Sequence, residues 1–354
     1  MPAAALPILD LALLSQGEAA SQRFRDELTR VTHEVGFFYL VNSGLSADLQ
    51  QRMLATTRAF FALPDEQKLA IHNVKSRHFR GYTRLGAEQT YGRPDWREQV
   101  DMAPERDPIP EEPVYNLLVG PNQWPKALPQ LRAVCEEWQA VLYDVSYKLL
   151  RAWAQSLGAG ADYFDGPFAD PFHHMKIVRY PGAARANTQG VGTHTDSGFL
   201  TLLWIEEGKG GLQVQLRDGS WIDAPPLKDA LVVNIGEMLQ VWAGGYLRAT
   251  PHRVVSPLAP DDRVSVPFFF NPSLDTTFPP FSLPSELAAK AREKVVADDP
   301  RNPLFELYGW NALKARLKSH PDVAEAHHAE LVKQGVAGAD VRIVSEDTGV
   351  PAEI

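Results

Sequence analysis

Apolar residues recur along the first half of the chain with the period of an α-helix. The segments with this spacing are 19–34, 46–62 and 125–157, and each predicts an amphipathic helix. The run GFFYLVNSGL, which starts at Gly36, predicts a buried strand that ends in a turn. Residues 72–124 are rich in Arg, Gly and Pro, which predicts irregular structure with one short strand at GYTRL.

The pattern changes near His173, where short apolar runs begin to alternate with Gly, Pro, Asp and Asn. These runs are MKIVRY, FLTLLWI, GLQVQL, SWIDA, ALVVNIG, MLQVWA, HRVVS and VSVPFFF. Runs of this length at short intervals are typical of all-β sandwiches and barrels. Helical spacing returns from Pro284 to about Gln334. We therefore predict an α+β fold, with a β-barrel or jelly-roll core that is preceded and followed by helices.

The changes of pattern divide the chain into three predicted parts. Residues 1–124 form a mixed α/β region, and residues 125–283 form a long brace helix followed by the β core. Residues 284–354 form a helical extension and a tail. The sequence contains no internal repeat, so the β core is predicted to be a single unit.

Composition restricts the partners that the protein is expected to bind. Of the 354 residues, 44% are hydrophobic and 22% charged, and no apolar run reaches the roughly 18 residues of a membrane span. The N-terminal stretch has no basic region ahead of its apolar residues, which argues against a secretory signal. A net charge of −9 argues against nucleic-acid and membrane partners. We expect a small-molecule substrate and a cytoplasmic location.

The single cysteine restricts the metal chemistry. Cys135 is the only one in the chain, which excludes internal disulfides and thiolate-rich zinc or iron–sulfur sites. It lies in the long helical pattern, so we interpret it as a small buried hydrophobic residue. Any metal ion would have His, Asp, Glu and water as its ligands.

The run THTDSGFLTLLW places two polar side chains directly before an apolar strand. His194 and Asp196 are two residues apart, so in an extended chain they point to the same side. Burying both costs several kcal/mol by order of magnitude unless they have a partner. A metal ion would be such a partner, and His252, at the start of a later strand, is the best third ligand. Two His and one carboxylate match the facial triad of iron(II) oxygenases, although zinc enzymes also use these ligand types.

The other histidines have simpler interpretations. Those in polar surroundings without a nearby acid are predicted to lie at the surface, and they are His33, His72, His78 and His320. His327 and His328 are predicted to lie on a solvated helix face. His173 and His174 open a predicted strand, where a structural role is favoured over metal binding.

A second pair of polar residues, Arg263 and Ser265, occurs in the run RVSVPFFFNP. Both side chains can point to one face of a strand. The planar guanidinium suits a carboxylate, and the hydroxyl adds a donor. The carboxylate could belong to an Asp or Glu of the protein or to a ligand, and the local sequence leaves both open.

The spacing of these motifs resembles that of a known enzyme family. His252 lies 56 residues after Asp196, and Arg263 follows eleven residues later. Further matching stretches are PILDL, GFFYLVNSGL, MKIVRYPG and NIGEMLQVWAGGYLRATPHRV. From about residue 5 to 320 the chain resembles the isopenicillin N synthase-like group of iron(II)/2-oxoglutarate oxygenases.

The resemblance implies a double-stranded β-helix, which is the jelly roll named above, with helices packed outside it. It implies iron(II) on His194, Asp196 and His252, with O2 as a further cosubstrate. It also implies that Arg263, Ser265 and Tyr180 hold the far carboxylate of 2-oxoglutarate. The activity implied is hydroxylation, desaturation or ring closure of a small molecule, with release of succinate and CO2.

Two departures keep alternatives open. Val178 stands where plant members of the group carry asparagine, and VRYP is similar to isopenicillin N synthase itself, which uses no 2-oxoglutarate. A 2-oxoglutarate-independent oxidase is therefore an alternative, as are a zinc hydrolase and a jelly roll that binds metal and carboxylate without turnover. Ser197 replaces a tyrosine by which the ethylene-forming relative binds arginine, which argues against arginine as the substrate.

Strand period predicts which residues face the substrate. Counting in twos from Ser265 reaches Phe269, and by similarity Thr201 and Leu203 are further candidates for the pocket wall. The segment 77–97, with Tyr82, Arg84 and Trp96, is predicted to form a lid over an acidic or aromatic substrate. The alternatives are core packing for the first three and a solvated loop for the segment.

Overall fold

The computed structural model describes residues 5–291 and 304–336. The predicted tail beyond residue 336 lies outside the described residues. Within these ranges the α-helices are α1 Glu18–Glu34, α2 Ala47–Phe61, α3 Asp65–Leu69, α4 Gln130–Ser156, α5 Glu237–Trp242, α6 Ser285–Ala288, α7 Tyr308–Ser319 and α8 Pro321–Lys333. Short 3-10 helices cover Leu11–Ser15, Asn73–Lys75 and Val114–Leu118. None of the described helices is long and apolar enough to cross a membrane.

The strands precede, form and flank the β core. Those of the N-terminal region are β1 Ile8–Asp10, β2 Phe37–Val41, β3 Gly81–Thr83, β4 Gln89–Thr90, β5 Arg93–Pro94 and β6 Glu98–Met102. Those of the core are β7 His174–Tyr180, β8 Gln189–His194, β9 Leu200–Ile205, β10 Leu212–Gln215, β11 Trp221–Asp223, β12 Ala230–Ile235, β13 His252–Val255 and β14 Arg263–Phe270.

Two sheets make up the jelly roll. The larger has the order β1-β2-β12-β9-β14-β7-β6-β3, and the smaller has the order β11-β10-β13-β8. Strands of the N-terminal region extend both edges of the larger sheet. The predicted boundary at residue 124 therefore separates two stretches of sequence whose strands share one sheet.

The larger sheet separates two hydrophobic clusters because successive side chains along each strand point to opposite faces. In β9, Leu200, Leu202 and Trp204 belong to the cluster shared with the helices, whereas Ile205 belongs to the cluster between the sheets. The ring of Trp138 on α4 meets that of Trp204 edge-on, with centroids 5.9 Å apart. Helix α4 therefore packs against the larger sheet of the core.

Two predicted elements differ from the structure. The run MLQVWA is helical and forms α5, not a strand. Residues 98–102, predicted to be irregular, form β6, in which Glu98, Gln99 and Asp101 are all buried. This strand could not be predicted from the sequence, because the usual signal of a strand is an alternation of apolar and polar residues. In β6, buried polar residues stand where apolar residues would be expected.

Candidate active site

Three side chains meet where β8 and β13 lie side by side. His194 ends β8, Asp196 follows two residues later, and His252 begins β13 opposite His194. One ligand atom of each residue lies within 4.8 Å of those of the other two. Asp196 Oδ1 is 3.6 Å from His194 Nε2 and 3.7 Å from His252 Nε2. The structure thus brings together the three residues that the sequence predicts as metal ligands.

Backbone carbonyls set the orientation of both imidazoles. The Nδ1 atoms of His194 and His252 lie 2.8 Å from Gly192 O and 3.0 Å from Thr250 O. A carbonyl oxygen only accepts hydrogen bonds, so each Nδ1 carries the proton. Each Nε2 therefore directs its lone pair at the space beside Asp196, which is the arrangement that a metal-binding histidine requires.

The two oxygens of Asp196 have different partners. Thr201 Oγ1 donates to Oδ2 over 2.5 Å, and Asn234 Nδ2 donates to the same oxygen over 2.7 Å. Oδ1 is left to face the histidines. Burial favours the neutral carboxyl, but His252, His194 and Thr201 outweigh it and hold the pKa of Asp196 below its ordinary value. The carboxylate is therefore charged and fixed, as a metal ligand must be.

Protonation of the histidines also favours a cation at this point. Burial and the neighbouring His194 lower the pKa of His252 to about 4, so its imidazole is neutral at neutral pH. For His194, burial acts to lower the pKa, but the interaction with the Asp196 carboxylate outweighs burial and raises the pKa. The space between these groups therefore favours positive charge, which a metal ion supplies as well as a proton does.

The NIGEM run closes over the loop that carries Asp196. Asn234 contributes the hydrogen bond described above, and Glu237 N–H donates to Asp196 O over 2.8 Å. A Cβ on Gly236 would lie 2.1 Å from Gly198 O, so only glycine permits this approach of the two backbones. The sequence marks this run as a family motif, and the structure shows that it positions the carboxylate.

Arg263 and Ser265 lie deeper between the sheets. Arg263 is 1% exposed, stands opposite Tyr180 in the sheet, and has its guanidinium carbon 4.7 Å from the centre of the Tyr180 ring. Its Nη1 donates to Ser265 Oγ over 3.3 Å. Its Nε and Nη2 have no hydrogen-bond partner among the described residues. A buried guanidinium with two free donors fits an anionic ligand, and a carboxylate matches its planar shape.

A cavity of about 620 Å³ reaches His194 and Asp196 of the triad. Phe269 and Thr201, two of the three residues predicted for the pocket wall, are among the residues that line this cavity. Leu203 is not part of the lining formed by the described residues and packs instead against the cluster between the sheets. Thr201 lines the cavity and also hydrogen bonds Asp196, a role that strand period alone does not reveal.

The wall of the cavity includes parts of the chain far from the triad. From segment 77–97 it takes Arg80, Arg97 and residues 88–92, but none of Tyr82, Arg84 and Trp96, which were predicted for the lid. Helix α7 contributes one face, and its lining residues include Tyr308, Ala312, Ala315, Arg316 and Ser319. The helical spacing of residues 284–334 predicts a helix here, but it does not indicate that α7 lines the cavity.

Several histidines differ from their predicted surroundings. His78 and His320 are 8% and 0% exposed, although both were predicted to lie at the surface. His328 is also buried, and its Nε2 lies 2.7 Å from Arg77 O. His173 and His174 are both buried because they face opposite sides of the larger sheet, with His174 lining the cavity.

Comparison with known proteins identifies the family. Residues 6–127 match the model of the "non-haem dioxygenase in morphine synthesis N-terminal" family, and residues 171–272 match that of the "2OG-Fe(II) oxygenase superfamily". The 2-oxoglutarate-dependent dioxygenase frbJ of a Dothideomycetidae species is 39% identical over 336 residues, which cover 90% of this chain and 91% of that protein. The chain belongs to the 2-oxoglutarate/iron(II) oxygenase family.

Further relatives agree with this assignment. A homoarginine-6-hydroxylase of Arabidopsis thaliana is 36% identical over 263 residues, covering 73% of this chain and 79% of that protein. A full-length Neurospora crassa protein, whose crystal structure is a complex with alpha-KG, superposes with a TM-score of 0.69 at 25% identity. The superposition covers 80% of this chain and 91% of the Neurospora chain.

These findings confirm the predicted family, the jelly-roll fold and the class of enzyme. The oxygenase is a 2-oxoglutarate- and iron(II)-dependent dioxygenase that uses O2 as cosubstrate and acts on a small molecule. They support this activity over the 2-oxoglutarate-independent oxidase that the sequence left open.

Proposed function

We propose that His194, Asp196 and His252 hold the iron(II), and that Arg263, with Ser265 and Tyr180, holds the far carboxylate of 2-oxoglutarate. The observation that carries the second assignment is the pair of donors on the buried Arg263 that have no partner among the described residues. A charged group with free donors in an interior is costly without an anion.

The residues of the chain orient the metal ligands, provide the charges that hold the cosubstrate, and form the wall of the substrate pocket. Iron(II) with 2-oxoglutarate would supply an O2-derived oxidant, with release of succinate and CO2. Thr201 and Asn234 hold Asp196 so that one carboxylate oxygen faces the metal position. Phe269 and Thr201 form the wall against which the substrate lies, and Leu203 packs in the same cluster as Tyr180.

The prime substrate is proposed to be a small organic molecule that is hydroxylated, desaturated or cyclised within the 620 Å³ cavity. Homoarginine is the first candidate to test, because several relatives are named for its hydroxylation. Arginine remains disfavoured on the prediction from Ser197. The absence of nucleic-acid and membrane partners remains a prediction that the net charge of −9 supports. A cytoplasmic location remains a prediction that rests on the single cysteine.

The test is an anaerobic titration of the apoprotein with iron(II) and then 2-oxoglutarate, monitored by visible absorption. A charge-transfer band should appear when 2-oxoglutarate binds the iron. Arg263→Ala should raise the 2-oxoglutarate concentration for half-saturation at least about tenfold, since a hydrogen bond to a charged group contributes roughly 1.5–3 kcal/mol. Iron affinity should be unchanged.

Two further variants complete the experiment. Arg263→Lys keeps the charge but not the planar fork, so it should restore only part of the affinity. Arg132 lies on the exposed face of α4, so Arg132→Ala should bind 2-oxoglutarate with the affinity of the wild type. Equal 2-oxoglutarate affinity in wild type and Arg263→Ala would contradict the proposed role of Arg263.

A further inference from the structure

Three arginines that the proposed reaction does not use line the same cavity, and they are Arg80, Arg97 and Arg316. Arg97 is paired with two carboxylates of the protein, Glu88 over 3.0 Å and Asp95 over 3.3 Å, so Arg80 and Arg316 are the two to consider. Arg80 is 1% exposed, and its Nη atoms donate to backbone carbonyls, those of His78 over 2.6 Å and Leu118 over 2.7 Å. Its Nε has no partner among the described residues. Arg80 is thus a buried cation that donates to neutral carbonyl groups.

Arg80 and Arg316 lie close enough to affect each other electrostatically. Burial, followed by the positive charge of Arg316, lowers the pKa of Arg80 to about 9. The group is still cationic at neutral pH. Two like charges facing one cavity cost free energy in the empty protein, and an anion between them would recover it.

Two hydrogen bonds, to Asp101 and His174, hold the guanidinium of Arg316 in place. Its Nη1 donates to Asp101 Oδ1 over 3.1 Å, and its Nη2 donates to His174 Nδ1 over 2.6 Å. His174 Nε2–H in turn donates to Asp101 Oδ1 over 2.9 Å, which fixes the tautomer needed to accept from Arg316. The other N–H groups of Arg316 have no hydrogen bond to another described residue, and its side chain is 17% exposed.

Asp101 does not neutralise this wall of the cavity. Its carboxylate also faces Lys176 Nζ at 3.5 Å and His320 Nε2 at 3.5 Å. Lys176 pairs more closely with Glu88, over 2.7 Å. The charge of Asp101 is therefore shared among several groups, and Arg80 has no carboxylate within 4.0 Å among the described residues.

We propose that Arg80 and Arg316 bind a carboxylate of the prime substrate. Phe172 and Phe269 line the same cavity and would contact its apolar part. The inference rests on the proposed function, because it assigns the substrate class of that same site. Asp101 and His174 are positioning residues that hold Arg316.

Sheet register fixes where the carboxylate lies relative to the metal position. Phe269 pairs with Thr201 on one side and with His174 on the other. Thr201 contacts Asp196, and His174 contacts Arg316. Two strand spacings, about 10 Å, therefore separate these contacts. The oxidised carbon is accordingly several bonds away from the carboxylate.

The test uses a matched pair of probes, 4-phenylbutyrate and 4-phenylbutanamide, which differ chiefly in charge. Calorimetric titrations are run under argon on protein saturated with iron(II) and 2-oxoglutarate, so that Arg263 is already occupied. The wild type should bind the acid at least tenfold more tightly than the amide. Equal affinities, or no detectable binding of the acid, would overturn the inference without any variant.

Variants of Arg80 and Arg316 test whether these two residues cause the preference for the acid over the amide. Arg80→Gln and Arg316→Gln should each weaken acid binding at least tenfold and leave amide binding unchanged, whereas the exposed Arg132→Gln should behave as wild type. If the Gln variants do not fold, Arg80→Lys and Arg316→Lys keep the charge and should show an intermediate acid preference. Wild-type acid binding in the folded variants of both positions would place the anion elsewhere.

The same samples separate this inference from the proposed function. The charge-transfer band of iron(II) with 2-oxoglutarate should persist in the Arg80 and Arg316 variants. If the band fails to form in the wild type, the proposed function is wrong. If it forms but the acid has no advantage over the amide, only the carboxylate site is wrong.

Discussion

At the scale of single residues, the geometry of the site depends on which hydrogen-bond partner each polar atom has. Asp196 could present either oxygen to a metal, but Thr201 and Asn234 both donate to Oδ2. Only Oδ1 then faces the two imidazoles. The ligand geometry is thus determined by neighbours that do not themselves bind the metal.

Replacing Thr201 tests this dependence. Thr201→Val keeps the shape of the side chain but removes one donor to Asp196, so iron(II) affinity should fall roughly 10–100-fold, measured by anaerobic titration. Thr57→Val is the matched control, because Thr57 is equally buried and its hydroxyl faces Met53 Sδ, at 3.7 Å. Equal affinities in both variants would refute a positioning role for Thr201.

His173 provides a residue-scale prediction about pH. Burial, with the charges of Arg80 and Arg106, lowers its pKa to about 3, against about 6.5 in an unfolded chain. Between these values the unfolded state binds more protons, so stability falls as the pH drops below about 6.5. At pH 5 the loss from this group is about 2 kcal/mol, from 1.36 kcal/mol per pKa unit.

The measurement is urea unfolding of the wild type and His173→Phe at pH 7.5 and pH 5. The variant keeps a ring against Phe268, with which His173 stacks at 5.3 Å, but it cannot titrate. Its loss of stability between the two pH values should be about 2 kcal/mol smaller than that of the wild type. The same loss in both proteins would show that His173 does not contribute.

At the scale of elements, strand β6 contributes to the site although it lacks the alternation of apolar and polar residues that is typical of a strand. In β6, Glu98 and Asp101 are buried with partners from other elements, and Gln99 Nε2 donates to Asp101 Oδ2 of the same strand over 2.6 Å. Glu98, for example, accepts from Tyr82 Oη over 2.6 Å and pairs with Arg179 over 3.0 Å. Local sequence cannot predict this strand, since its partners come from distant segments.

Helix α4 shows the opposite case, in which local pattern is sufficient. Its apolar face, predicted from helical spacing, packs against the larger sheet, and Cys135 on that face is fully buried, as predicted. Burial raises the pKa of the Cys135 thiol, so both reactivity and access are suppressed.

Cys135 should therefore report on the unfolding of the region around α4. Ellman's reagent should not react with the native protein at neutral pH, and one thiol per chain should react in denaturing urea. The reaction at intermediate urea should follow the unfolding transition measured by circular dichroism. Rapid reaction in the absence of urea would show that α4 opens without global unfolding.

At the scale of the whole molecule, the N-terminal and C-terminal parts complete the core. Strands β1, β2, β3 and β6 extend both edges of the larger sheet, and α7 covers the cavity. Arg58 of α2 also joins this assembly, pairing with Glu206 over 2.6 Å and with Asp262 over 3.2 Å. The cavity is therefore a product of the complete fold.

Ligand binding should stabilise the whole molecule through the central site. A ligand at one hundred times its dissociation constant adds about 2.7 kcal/mol to the free energy of unfolding. Iron(II) and then 2-oxoglutarate, added under argon, should each raise the melting temperature measured by scanning fluorimetry. In Arg263→Ala the rise caused by iron(II) should remain, and the rise caused by 2-oxoglutarate should shrink. A full 2-oxoglutarate response in this variant would argue against the proposed role of Arg263.

The sequence by itself determined the features that depend on local spacing. The period of two along a strand places His194 beside Asp196 and Arg263 beside Ser265, and motif order was sufficient to predict the family, the fold and the cofactors. The period of the helices predicted α1, α2 and α4 close to their observed bounds. These features need only the neighbours of each residue along the chain.

Tertiary structure alone decided which remaining residues surround the substrate. Arg316 meets His174 across 142 positions of sequence, and Arg80 joins the same cavity from another segment. Such contacts depend on how α7 packs over the sheet, which no local periodicity encodes. The same physical reason explains why β6 and the buried His78 and His320 were missed: their polar groups are stabilised by distant partners that only the folded chain brings close.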